Sequence, residues 1–195
     1  MKKYLAYLLT GAALILLPAM PAFSIDDDGP TSNRPPRAIR LETRLNGFNE
    51  VTSLSTPGTG SFKATINPER TQISYVLTYD ETEARVFMAH IHFGQEQTNG
   101  PISIWFCGGD GPVLPPATVP ASLPLCPPGG TPLEGTVTAA DVIGPAGQGI
   151  APGEFEEVIR AILAGATYVN VHSEKYVPGE IRGQIEAHRF GPNNN

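Results

Sequence analysis

Two histidines one residue apart, His90 and His92, are the first residues of this chain whose type and spacing could do chemistry. On a β-strand, side chains alternate between the two faces, so both imidazoles would project from one side and Ile91 from the other. His172 lies in a second alternating segment, and Glu180 follows it after a Pro-Gly turn. If the two later segments form a hairpin, a third imidazole and a carboxylate lie in one neighbourhood.

These four side chains suit a transition-metal site. Neutral imidazoles from two strands offer nitrogen ligands to Cu(II) or Zn(II), and Glu180 would orient or complete the set. A different interpretation makes His90, His92 and His172 buried polar residues that hydrogen-bond to strand ends and turns. His188, near the chain end, is predicted to be exposed.

An enzymatic role is a further alternative. The His-x-His pair is similar to the copper ligands of Cu/Zn superoxide dismutases, which would make the chain a small copper-dependent redox enzyme. That likeness is local, because the chain lacks the further histidines and the zinc-loop aspartates of such an enzyme. A Gly-x-Ser-x-Gly nucleophile motif and a phosphate-binding glycine loop are also absent from the sequence, so no catalytic residue is predicted.

The N-terminus predicts export. Lys2 and Lys3 precede an apolar run over residues 5–20, and Ala22-Phe23-Ser24 offers small residues for signal peptidase. We therefore expect residues 1–24 to be a signal peptide, with a periplasmic or secreted mature chain that has no membrane span. Loss of the two lysines takes the formal charge from −6 to −8, which argues against a nucleic-acid partner.

Two cysteines, Cys107 and Cys126, bracket a Pro/Gly-rich stretch. An exported protein meets an oxidising compartment, so the pair is predicted to form a disulfide. The alternative, two free thiolates that bind a soft metal, is disfavoured because the cysteines lack a C-x-x-C spacing.

Alternation of apolar and polar residues predicts an antiparallel β-sandwich of Greek-key type over residues 38–190. A linker over 25–37 precedes it, and a short tail over 191–195 follows. A spacing of i, i+3, i+4, i+7 and i+8 from Phe155 to Leu163 predicts one amphipathic helix with Gly165 at its end. The strands are predicted to begin near Ala38 and to include 61–66, 73–79, 84–93, 101–106, 134–137, 166–176 and 180–188.

Several short motifs, in this order, resemble the CHRD domain, which is named for its repeats in chordin. They are Leu45-Asn46-Gly47 with Glu50-Val51, Gly58-Thr59-Gly60, Ala89-His90-Ile91-His92, Thr136-Val137-Thr138-Ala139-Ala140-Asp141, the helix ending in Gly165, Tyr168-Val169-Asn170-Val171-His172 and Pro178-Gly179-Glu180-Ile181-Arg182-Gly183-Gln184. The chain departs from the family pattern at Phe93 and in the insertion between the cysteines.

The resemblance implies an exported, sandwich-like binding or structural module and little chemistry. Combined with the histidines, it predicts a module that binds copper or zinc. The metal-free alternative is a protein-interaction domain that contacts an extracellular protein through the 108–132 loop.

Overall fold

The computed structural model describes residues 37–117, 119 and 122–189. The predicted signal peptide, the linker up to residue 36 and the tail lie outside these ranges. The described residues form one α-helix, α1 (Phe155–Leu163), nine strands and three single-turn 3-10 helices. The strands are β1 (Ile39–Asn46), β2 (Thr59–Ile66), β3 (Ile73–Asp80), β4 (Val86–Phe93), β5 (Ile102–Cys107), β6 (Leu133–Val137), β7 (Thr167–Ser173), β8 (Ile181–Gln184) and β9 (Glu186–Arg189).

All strands belong to a single antiparallel sheet in the order β5-β4-β7-β8-β1-β2-β3-β6, with β9 paired to β1. The sheet curls until its two edges approach each other. Phe106 on β5 packs against Tyr75 on β3 with ring centroids 4.4 Å apart, and a β-bridge joins Ile104 to Val142 just after β6. The predicted all-β, antiparallel class is therefore confirmed as a nearly closed sandwich or barrel.

Helix α1 covers part of the core, as its spacing predicts. Phe155, Val158 and Ile159 are buried on its inner face. The helix ends where Gly165 adopts φ 68°, a left-handed conformation that favours glycine. The N–H of Ala166 then donates to the carbonyl of Ala161, which closes the last turn. Within the described residues, no helix is long and apolar enough to cross a membrane.

Strand β4 departs from the predicted alternation at its start. Its register against β7 shifts between Val86 and Met88, as in a β-bulge. Val86 consequently points into the main core, whereas Phe87 points away and packs with Met88 and Trp105 in a second cluster. The prediction that placed Val86 on the histidine face and Phe87 on the other was wrong, because a period of two cannot reveal an inserted residue.

The last predicted strand, 180–188, is likewise divided. The chain bends at Ile185, whose side chain is buried and whose N–H donates to the carbonyl of Thr167. Before the bend, β8 pairs with β7, as the predicted hairpin requires. After the bend, β9 runs along β1.

The predicted disulfide between Cys107 and Cys126 is confirmed. The loop that it closes is held down at several points. Gly108 donates its N–H to the carbonyl of Pro124, and Leu123 packs against the Phe87–Met88–Trp105 cluster. The described residues of this loop next to the disulfide therefore lie against the outer face of β4 and β5.

Removing the disulfide tests its contribution to stability. We expect Cys107→Ser/Cys126→Ser to lower the free energy of unfolding by about 3 kcal/mol, because an open loop of this size has more conformational freedom in the unfolded chain. Guanidinium chloride unfolding of the variant and of the oxidised wild type measures the difference, and reduction of the wild type serves as the matched control. Equal unfolding midpoints at equal slopes would contradict the prediction.

Candidate metal centre

Strands β4 and β7 bring the three predicted histidines together on one face. In their antiparallel register, His90 lies opposite Asn170, His92 opposite Tyr168, and Met88 opposite His172. Opposite residues share a face, so the three imidazoles lie on the same side, away from the main core. The ring centroid of His90 is 5.3 Å from that of His92 and 4.9 Å from that of His172, and the His92–His172 distance is 6.1 Å.

Two of the rings are oriented by backbone carbonyls. Nδ1 of His92 lies 2.8 Å from the carbonyl oxygen of Gly100, and Nδ1 of His172 lies 2.8 Å from that of Val177. A carbonyl oxygen can only accept, so each Nδ1 carries the proton. In the neutral ring, Nε2 is then an unprotonated nitrogen with a free lone pair. Hydrogen bonds of this kind commonly orient the histidine ligands of metals.

The remaining nitrogens converge without hydrogen-bond partners. Nε2 of His92, Nε2 of His172 and both ring nitrogens of His90 are buried and unpaired among the described residues. One nitrogen from each ring lies within 4.8 Å of the other two. Three atoms so spaced share a point no more than about 2.8 Å from each, and Zn–N bonds are about 2.0–2.1 Å long. An inward shift of less than about 1 Å would therefore bring all three nitrogens to bonding distance.

Burial keeps the three imidazoles neutral at ordinary pH. It lowers the pKa of His92 and of His172 to about 4, although the hydrogen bonds to Gly100 and Val177 oppose this change. The pKa of His90 falls well below its usual value, first because of burial and then because of its two histidine neighbours. Metals bind the neutral form of imidazole, so these groups are ready to bind without releasing protons.

Aromatic side chains line the site. The Trp105 ring stands nearly perpendicular to His90 with centroids 4.2 Å apart. The Tyr168 ring is parallel to His92 at 4.7 Å, and the guanidinium of Arg182 lies 3.6 Å from the centre of Tyr168. Sequence reasoning did not identify these three residues as part of the site. For Tyr168 the signal was available, because it alternates with His172 on one strand.

Glu180 does not join the histidines. Its side chain is fully buried, but Oε1 accepts hydrogen bonds from the hydroxyl of Thr56 at 2.6 Å and from the N–H of Glu83 at 2.8 Å. The carboxylate therefore connects two loops. His188 is about half exposed, as predicted, and its Nε2 lies 3.3 Å from a carboxylate oxygen of Glu42.

A second buried polar group borders the site. Asn170 donates to Oε1 of Glu50 at 2.6 Å, and the guanidinium of Arg182 donates to the carbonyl of Thr98 and to Oδ1 of Asn99. Burial raises the pKa of Glu50 to about 7, while the hydrogen bond from Asn170 and the charge of Arg182 act in the opposite direction. The sequence analysis names Glu50 only as part of a family motif and not as a neighbour of the site, because Glu50 lies in a loop far from the histidines in the chain.

Glu50→Gln should change the pH dependence of stability. A folded-state pKa above the ordinary 4.5 means that the folded chain holds a proton more tightly than the unfolded chain. The stabilising contribution of Glu50 is therefore lost as pH rises from 4.5 to about 7, whereas neutral glutamine makes no pH-dependent contribution. We expect the free energy of unfolding of the variant to gain about 2–3 kcal/mol relative to that of the wild type between pH 5 and pH 8.

Urea unfolding at both pH values measures this gain. Glu186→Gln, at an exposed position, is the control, and equal pH profiles for wild type and Glu50→Gln would contradict the prediction.

Comparison with known proteins identifies the family. No curated protein and no solved structure matches the chain. A family model for the CHRD domain matches residues 41–185. The matched region covers most of the chain and includes most of β1, all of β2 to β8, the three histidines and both cysteines. The chain belongs to the CHRD-domain family.

Proposed function

We propose that this chain is an exported binding module that holds one copper or zinc ion through His90, His92 and His172. The observation that carries the proposal is the convergence of three neutral imidazoles, whose unpaired nitrogens lie within 4.8 Å of one another. Membership of the CHRD-domain family supports a binding or structural module. The disulfide is consistent with an oxidising compartment, as the predicted signal peptide requires.

Hydrogen bonding alone accounts poorly for this cluster. The carbonyls of Gly100 and Val177 satisfy one nitrogen each of His92 and His172, but they leave acceptor lone pairs in a buried space. An unsatisfied buried acceptor costs about 1–3 kcal/mol, and several meet here. A metal ion would bind all of these lone pairs at once, so it would remove the cost that a purely structural cluster would carry.

Metal titration with matched variants tests the proposal. Purified mature protein, stripped with a chelator, is titrated with Cu(II) and separately with Zn(II) while bound metal is measured by equilibrium dialysis. We expect one ion per chain in the wild type and in His188→Ala, which removes an exposed histidine outside the site. In His90→Ala/His92→Ala the affinity should fall at least about 100-fold, because two of three ligands are gone. Equal binding by the double variant and the wild type would contradict the proposal.

The dismutase alternative is tested on the same loaded protein. A catalytic metal needs an open coordination position, whereas all three histidines are buried behind aromatic rings. We therefore expect the metal-loaded protein, freed of unbound metal, to show no more superoxide dismutation than the chelator-stripped protein. Turnover that requires the three histidines would make the chain an enzyme.

A further inference from the structure

We infer that the ion held by this site is cuprous copper, Cu(I), with the Trp105 indole beside it. The inference rests on the proposed metal site and selects among the ions that the site could hold. Three features carry it: the charge of the surroundings, the number of ligands and the softness of the neighbouring side chains.

The charge of the site favours a monovalent ion. All three ligand groups are neutral, and among the described residues no carboxylate lies close enough to join them. Oε1 of Glu50 accepts from Asn170, and Oε1 of Glu180 accepts from Thr56 and Glu83, while Oε2 of Glu180 is buried without a hydrogen-bond partner. The Arg182 guanidinium stacks on Tyr168, which stacks on His92, so a positive charge is already close. The cost of burying an ion rises with the square of its charge, so an unneutralised divalent ion costs about four times as much as a monovalent one.

The number of ligands points the same way. Zn(II) in proteins is almost always four-coordinate, with water as the fourth ligand in open sites. Among the described residues, the metal-ligating group consists of three histidines only. Trp105 and Phe87 flank His90 and His172. The Trp105 indole N–H is buried and unpaired, but it can only donate, so these two rings offer no acceptor for the protons of a zinc-bound water. Zn(II) and Cu(I) both have a filled d shell. Cu(I) differs in carrying a single charge, and it accepts three ligands without water.

Soft, polarizable groups surround the histidines. The Trp105 ring lies 4.2 Å from that of His90 and nearly perpendicular to it, and indole is the best aromatic partner for a cation held nearby. Met88 is the register partner of His172 and packs with Trp105 in the outer cluster. A thioether favours Cu(I) over harder ions. None of these groups offers an oxygen ligand of the kind that suits harder ions.

Affinity and spectroscopy together test the inference. Under anaerobic conditions, Cu(I) supplied as its acetonitrile complex competes between the protein and a chromogenic Cu(I) chelator, and Zn(II) is measured against a zinc chelator. We expect Cu(I) to bind at least about 100-fold more tightly than Zn(II). Bound copper should remain silent in electron paramagnetic resonance after exposure to air. Binding of Zn(II) as tightly as Cu(I), or prompt appearance of a Cu(II) signal, would overturn the inference.

The tryptophan supplies an independent readout, because Trp105 is the only tryptophan of the chain. Cu(I) should quench its emission, with saturation at one equivalent, in the wild type and in His188→Ala but not in His90→Ala/His92→Ala. Wild-type emission unchanged by bound Cu(I) would overturn the placement of the ion beside the indole. If neither Cu(I) nor Zn(II) binds, the proposed metal site itself fails. If Zn(II) binds through the histidines and Cu(I) is not preferred, only the choice of ion fails.

Discussion

Acidification from pH 7 to pH 4 should destabilise the metal-free protein by several kcal/mol. The pKa of His92 and of His172 is about 4 in the folded chain, compared with an ordinary value of 6.5. Between these values the unfolded chain binds more protons, so the stability that is fully present above 6.5 is lost as pH falls towards 4. Each group contributes on the order of 3 kcal/mol, and the lowered pKa of His90 acts in the same direction.

Glu50 opposes this loss of stability on acidification but does not cancel it. Its raised pKa stabilises the folded chain as pH falls from about 7 to 4.5, but it is one group against three histidines. Urea unfolding in the presence of a chelator, at half-unit pH steps, measures the net effect. His92→Gln/His172→Gln removes two of the titrating groups and should flatten the profile. A wild-type stability that stays constant from pH 7 to pH 4.5 would show that these rings are not held neutral.

Gly100→Ala should damage both the fold and the site. A Cβ at this position would lie 1.8 Å from the carbonyl oxygen of Phe93, which is a backbone atom that cannot rotate away. The turn before β5 must therefore move, and with it the Gly100 carbonyl that accepts the hydrogen bond from His92. We expect a loss of about 3 kcal/mol or more in the free energy of unfolding, together with a weaker metal affinity.

Gly147→Ala is the matched control for this substitution. Its Cβ would meet no atom within 4 Å, so stability should change by less than about 0.5 kcal/mol. Urea unfolding and metal titration of both variants beside the wild type give the comparison. Wild-type values for Gly100→Ala in both measurements would mean that the turn adapts and does not fix the orientation of His92.

Local sequence patterns predict the strands and place the two histidines of the pair on one face of a strand. Alternation placed His90 and His92 on one side of β4, and the Pro-Gly turn after His172 predicted the β7–β8 hairpin. The pairing of β4 with β7 joins residues about 80 positions apart, and local patterns do not specify such a contact. Residue types therefore suggest the three-histidine cluster, while its geometry depends on the pairing and register of β4 and β7.

Long-range contacts also explain what the sequence did not predict. A simple hairpin places Glu180 opposite His172. Its carboxylate instead accepts hydrogen bonds from Thr56 and Glu83, which lie in two loops far away in the chain. Trp105 reaches His90 only because β5 pairs with β4. The bulge that turns Phe87 outward adds one residue to β4, and the hydrophobic pattern of the sequence does not show where this residue is added.

X-ray absorption spectroscopy of protein loaded with one equivalent of copper tests the central claim most directly. We expect three nitrogen neighbours at about 2.0 Å from the copper, with the longer-range scattering pattern of imidazole rings. The same spectrum should be absent from His90→Ala/His92→Ala treated in the same way. A shell dominated by oxygen, or an unchanged imidazole pattern in the double variant, would contradict a metal centre at His90, His92 and His172.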